Sequence, residues 1–168
     1  MEDYTLSAVS IDDGLDILKM LKEIGPGENG FQNNAYDLSQ KDFPNWLQSR
    51  IDMSMGINLD PKYVPQTTFW LRRNGYPIGM SKLRIKLNEA LFKTGGNIGF
   101  CIRPTERGKG YASIILKKTL DTAKQMGLNR FLLTCDVDNS PSWKTIEKAN
   151  GKLEKIENGE RYYWIEIN

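Results

Sequence analysis

Arg107-Gly108-Lys109-Gly110-Tyr111-Ala112 lies between an apolar run, Ile98 to Ile102, and a long amphipathic pattern that extends to Met126. Glycines at 108 and 110 allow the backbone to approach a ligand closely. A helix starting there presents unpaired N–H groups and the positive end of its dipole to an anion. Arg107 and Lys109 add positive charge at the same place. The stretch reads as an anion-facing turn between a strand and a helix, although the same residues also serve an ordinary helix-starting turn. The flanking segments decide between the two.

Downstream, the spacing predicts a helix over 108–126, with Ala112, Ile115, Leu116, Ala123 and Met126 inward, Lys117, Lys118, Asp121 and Lys124 outward, and Gly127 as its C-cap. Phe131-Leu132-Leu133-Thr134-Cys135 is a short, nearly continuous apolar run, which marks a strand covered on both faces. Strand, long crossover and strand imply a parallel pair joined with right-handed sense. Ser140-Pro141 then supplies a capping hydroxyl before a helix that runs to Asn150-Gly151, and Asn158-Gly159 turns a closing hairpin.

Upstream, Tyr4 to Ser10 reads as a strand, and Leu15, Leu18, Leu21 and Ile24 as a helix face. Gly25 to Phe31 forms a loop rich in breakers. Ser39 to Met55 carries Phe43, Trp46, Leu47, Ile51 and Met55 at helical spacing, with Pro44 tolerable only in the first turn. Asn74-Gly75 joins two strands, Thr68 to Leu71 and Tyr76 to Leu87, the second alternating Leu83, Ile85, Leu87 with Lys82, Arg84, Lys86. The fold class is mixed α/β.

The chain of 168 residues is 39% hydrophobic and 26% charged, which suits a single domain over 1–168. A net charge of +2 gives no field for nonspecific nucleic-acid binding. No apolar run has membrane-spanning length, and the first residues lack the pattern of a secretory leader, so the expected location is cytoplasmic, without a membrane partner. Histidine is absent, which removes Ser-His and Cys-His nucleophile systems and His-ligated metals. Cys101 and Cys135 lack C-x-x-C spacing and read as reduced core thiols.

The block Gly99 to Asn139 resembles the GNAT superfamily of acyl-CoA-dependent N-acyltransferases. Arg107-x-x-Gly110-x-Ala112 fits that family's Gln/Arg-x-x-Gly-x-Gly/Ala signature at a helix N-terminus, and the order of elements is similar along nearly the whole chain. Glu28-Asn29-Gly30-Phe31, Gly95 to Gly99 and Ile146-Glu147-Lys148 resemble a branch of small bacterial members with undefined substrates. The resemblance implies a central, mixed, splayed sheet with helices on both faces. Acetyl-coenzyme A would be the cosubstrate, with no metal, and the partner a small-molecule amine or peptide acceptor, the protein being a monomer or homodimer. It further implies that the backbone of Arg107, Gly108, Lys109, Gly110, Tyr111, Ala112 and Ser113 holds the pyrophosphate. Phe100, Cys101 and Ile102 would line the pantetheine arm, Asn139 would contact it, and Lys144 would reach a coenzyme phosphate.

The family's usual acidic tyrosine, seven residues after Asn139, is Ile146 here. Tyr111, Tyr162 or Tyr163 could take its place, or solvent could protonate the leaving thiolate. For the amine's proton, the candidates are Glu28, Glu89 and Asp136, with Glu28 first, acting through a water or as a counter-charge to a cationic amine. Trp70 and Trp143 are candidates for walls of the acceptor pocket. The implied reaction is direct acetyl transfer in a ternary complex. The rival expectations are a noncatalytic acyl-coenzyme A sensor and a nucleotide-binding protein.

Overall fold

The computed structural model describes all 168 residues, which run β1 (Tyr4–Ala8), α1 (Leu15–Ile24), α2 (Phe43–Met55), β2 (Thr67–Arg73), β3 (Tyr76–Leu83), α3 (Glu89–Lys93), β4 (Ile98–Ile102), a 3₁₀ turn (Pro104–Glu106), α4 (Tyr111–Gln125), β5 (Arg130–Asp136), α5 (Ser140–Lys148), β6 (Lys152–Glu157) and β7 (Glu160–Glu166). Strands β1-β2-β3-β4 form one antiparallel sheet and β5-β7-β6 another. Both Asn-Gly pairs turn hairpins with positive φ at each position, 50° and 84° at Asn74-Gly75 and 51° and 79° at Asn158-Gly159.

Side-chain alternation sorts the first sheet into two faces. Trp70 and Met80 pack with Ile17, Leu21, Phe43 and Leu47 of α1 and α2, while Phe69 and Leu83 pack on the α4 side with Leu116, Leu120 and Ile146. A bulge gives β3 one extra residue, Ile78, where the register passes from Leu71↔Gly79 to Arg72↔Pro77. It turns Ile78 onto the α4 face, beside Leu71, Ile102 and Ile115, instead of the face that Met80 takes. Helices therefore cover both faces, as the resemblance implies.

Several expectations change: the second helix starts at Phe43 rather than Ser39, Met55, Ile85 and Met126 are exposed rather than inward, Met126 rather than Gly127 caps α4, and four further changes bear on the site. Helix α4 begins at Tyr111 rather than 108, because Gly108 and Gly110 have φ of 75° and 85°, outside helical space. Strand β3 stops at Leu83, and a short helix, α3, follows on an Asn88 cap whose side chain accepts the Leu91 N–H at 3.0 Å. Ser140 is the first helical residue of α5 rather than its cap; Asn139 holds the cap position and makes no side-chain capping bond. Finally, β4 and β5 share no ladder. They are tied just before β4, where the Asn97 N–H donates to the Leu132 carbonyl and the Leu132 N–H to Asn97 Oδ1, both at 2.7 Å, and the Gly95 N–H to Thr134 Oγ1 at 2.8 Å. The expected parallel pair is two strands pinned together at one end and open beyond it.

Candidate functional site

The hydrogen-bond register fixes what faces that opening. The Arg103 N–H bonds Ile78 and the Arg84 N–H bonds the Asn97 carbonyl across β3 and β4, so residues 99, 101 and 103 turn their amides toward β3, while the Asn97 N–H turns away to Leu132. Antiparallel pairing alternates, so Phe100 and Ile102 turn theirs the other way, to an edge with no strand partner. The Ile102 carbonyl accepts instead from Arg107 Nε at 2.9 Å. By the same alternation, Val137 and Ile167 bond across β5 and β7, which leaves the amides of Leu132 and Thr134 facing the opening. Leu132 meets Asn97. Beyond that pin the strands bound a cleft of about 1270 Å³, lined by Ile98 to Ile102, Leu133 to Cys135, Asn139 and Ile146.

The pin depends on close backbone approach. Gly96 has φ 58°, and a Cβ there would lie 2.3 Å from the Leu132 carbonyl oxygen, so only glycine fits. Asn97 is 3% exposed, and its amide also donates to the Arg84 carbonyl at 2.8 Å. The sequence hint for this was Gly95-Gly96-Asn97, read only as a family mark.

At the downstream end of β4 the chain passes through the 3₁₀ turn into the glycine turn. No bond within the chain uses the N–H groups of residues 108 to 113. A Cβ at Gly108 or Gly110 would meet nothing within 4 Å, so these glycines serve their positive φ and leave open space over the helix start. Arg107 faces the cleft and pairs with Glu28 at 2.5 Å, while Lys109 is exposed and pairs with Glu106 at 2.9 Å. Free N–H groups, a helix dipole and open space suit an anionic group such as a pyrophosphate.

Of the three carboxylates named from sequence, Glu28 lines the cleft and Glu89 and Asp136 do not; Asp52, Asp60 and Glu160, unanticipated, do. Phe100, Cys101, Ile102, Arg107 and Asn139 line it as well, but Lys144 does not, its ammonium lying over the Trp143 ring. The Tyr111 side chain is turned away. Its ring packs on Tyr4, and its hydroxyl accepts from Arg73 in the α4-side core. Tyr162 donates to the Lys93 carbonyl at 2.6 Å and Tyr163 to Glu147 at 3.0 Å, so none of the three candidate acids has its hydroxyl in the cleft. The tyrosine that lines it is Tyr63, from the segment between α2 and β2. Trp70 is fully buried, donating to Asp13 at 2.7 Å, and neither it nor Trp143 is a wall.

Burial pushes the Cys135 thiol up to about 11 and also raises Cys101, so neither is poised as a thiolate nucleophile. On the α1–α2 side of the cleft stand Arg50, Lys82 and Arg84. Burial, with repulsion from Arg84 and Arg50, lowers Lys82 to about 8. Burial lowers Arg84 to about 10. The sequence showed Lys82 and Arg84 as the wet face of an alternating strand; it gave no sign that Phe31 and Gln32 would meet Lys82, or Gln66 and Gly96 meet Arg84.

No helix is long and apolar enough to cross a membrane. No curated protein shows significant sequence similarity to the chain. Among solved structures, a ribosomal L7/L12 alpha-N-protein acetyltransferase, RimL, in complex with coenzyme A superposes with a TM-score of 0.70 at 17% identity, covering 98% of this chain and 94% of that one. The microcin C7 self-immunity acetyltransferase MccE, in complex with acetyl-CoA and AMP, gives 0.69 at 18% identity, covering 98% and 93%. An N-acetyltransferase from Staphylococcus aureus Mu50 gives 0.62 at 16%, covering 99% and 98%. At such identities the likeness establishes the fold. A sequence model of the acetyltransferase (GNAT) family matches residues 33–151, over the pinned strands, most of the cleft and the glycine turn, and the chain belongs to that family.

Proposed function

We propose that this protein transfers an acetyl group from acetyl-coenzyme A directly to a primary amine of a small molecule or peptide. The observation that carries the reading is the conjunction of a strand edge with free amides at Phe100 and Ile102 and, one turn later, a helix start with six unused N–H groups. An elongated ligand with an amide-bearing arm and a pyrophosphate matches that sequence of donors and acceptors. Bound there, acetyl-coenzyme A supplies an acetyl thioester, at which the amine forms its C–N bond as the C–S bond breaks.

The chain's own part is positioning and polarisation. Residues 108 to 113 direct their N–H groups at the pyrophosphate, and Phe100 offers its carbonyl and N–H to the arm as an added strand would. An outward N–H of β4 stabilises negative charge developing on the thioester oxygen, being fixed in direction before the reaction begins. Asn139, with its side chain unused by the helix it precedes, contacts the arm from the β5 side. The amine must lose a proton, and Glu28 takes it through a water, or acts as counter-charge to the ammonium before attack. Solvent returns a proton to the leaving thiolate, so that amine and thioester yield amide and free thiol in balance.

Thiol release from acetyl-coenzyme A across a panel of primary amines tests the reading. Amine-dependent release with a matching N-acetyl product is expected; cofactor binding without release on any amine would overturn the catalytic assignment in favour of a sensor.

A further inference from the structure

Three cations on the acceptor side of the cleft lack counter-charges. Lys82 near the end of β3 and Arg84 just beyond it, two residues apart, continue the alternation of Met80, which packs with α1 and α2, and Arg50 reaches the same cleft from α2. Ion pairs hold Arg72, Arg73, Arg103, Arg107 and Arg130 elsewhere in the chain, but none engages these three. Neutral acceptors orient them: Arg84 donates to Gln66 at 2.9 Å and to the Gly96 carbonyl at 3.1 Å, Arg50 to Ser49 at 3.3 Å, and Lys82 to the Gln32 carbonyl.

The carboxylates lining the cleft are committed to other partners. Glu28 is held by Arg107, Asp60 by Lys62, Asp52 by Gln48, and Glu160 by Thr94. Half-buried like charges without a counter-ion repel one another, and an anion entering between them relieves that repulsion. Burial and this repulsion together depress the Lys82 ammonium.

We propose that the acceptor amine also carries an acid group, a carboxylate or a phosphate, held by Arg50, Lys82 and Arg84 on the α1–α2 side of the cleft. This rests on the acetyl-transfer reading and narrows its substrate class. Lys82 pairs in register with Gly99, on the upstream half of β4, whereas the glycine turn follows the downstream end. The cluster is therefore an anion site separate from the one assigned to the pyrophosphate. A polyamine would meet like charge there, and is the wrong class of acceptor.

The test is calorimetric titration of the protein, free and saturated with coenzyme A, with L-glutamate, O-phospho-L-serine, L-glutamate dimethyl ester and spermidine. At least one acid should bind about tenfold or more tighter than the ester and spermidine. The preferred acid tells carboxylate from phosphate. Lys82→Met and Arg50→Gln should each weaken it about tenfold while leaving coenzyme A affinity unchanged. Acids binding no better than ester or spermidine, none of the four binding, or unaltered acid affinity in both variants would overturn the proposal. Failure of coenzyme A itself to bind would overturn the underlying reading, and the titrations of the free protein would still decide the anion site.

Discussion

Asn97→Ala removes the side chain that pins the two sheets together. Its Oδ1 is the partner of the Leu132 N–H at 2.7 Å, and its Nδ2 that of the Arg84 carbonyl at 2.8 Å. Leu132 is 2% exposed, so its N–H finds no substitute in bulk water. An abandoned buried polar group costs about 1–3 kcal/mol, which gives a total of about 2–6 kcal/mol for the two groups. Against a stability on the order of 5–15 kcal/mol the loss is large but survivable. At about 2–4 °C per kcal/mol for a chain of this size, Tm should fall by about 4–24 °C. Urea titration monitored by tryptophan fluorescence, with calorimetric melting beside it, measures both quantities. The width of the cleft depends on the same pin, so coenzyme A affinity should drop in the folded variant. A loss well below about 1 kcal/mol with affinity unchanged would refute the reasoning, because the two sheets would then be held by something other than Asn97.

Gly110→Ala meets no atom but forces a non-glycine residue to φ 85°, so it should cost about 1–2 kcal/mol and weaken coenzyme A binding through the methyl group over the helix start, as titration of the folded variant would show. Glu28→Ala should lower kcat/KM for the acceptor and spare acetyl-coenzyme A affinity; an effect on the cofactor alone would place that loop wrongly. Cys101→Ala and Cys135→Ala should both retain amine-dependent turnover, because neither thiol is poised as a nucleophile, and intact-protein mass spectrometry after mixing with acetyl-coenzyme A should find no acetyl-cysteine. Lys82 is part-deprotonated near its lowered value of about 8, and an anion beside it favours the charged form. Binding of an acid probe should therefore take up protons at a pH near that value and none at roughly pH 6, where the lysine is charged in both states, as titrations in buffers of different ionisation enthalpy would report.

Elements whose signals are local were legible in the sequence. Both Asn-Gly hairpins, the α1 and α2 faces and the crossover into α4 follow from backbone preference and periodicity, which neighbouring residues carry. The helix start at Tyr111 was misplaced by three residues because left-handed glycines at 108 and 110 belong to the turn. The side-chain assignments failed where tertiary direction decides. Tyr111 begins α4 as expected, but helical geometry carries its ring to the α4-side core, toward Arg73, while its N–H stays at the turn. Lys82 and Arg84 look solvated in an alternating strand, and only distant partners, Gln32 for Lys82 and Gln66 and Gly96 for Arg84, make them a half-buried pair of like charges. The Asn97 pin was invisible as a bond, since its partner lies 35 residues away; the adjacent glycines were its one local trace.

The central claim is that the unused amides of β4 and of the glycine turn form one acetyl-coenzyme A site. Calorimetric titration of the purified protein with acetyl-coenzyme A, in competition with ATP and with a nicotinamide dinucleotide, tests it most directly. The account predicts one site per chain with micromolar or tighter affinity that neither nucleotide displaces at equal concentration, because neither has an arm to lay along β4. No binding, or equal binding of all three ligands, would contradict it and reduce the glycine turn to a general phosphate site.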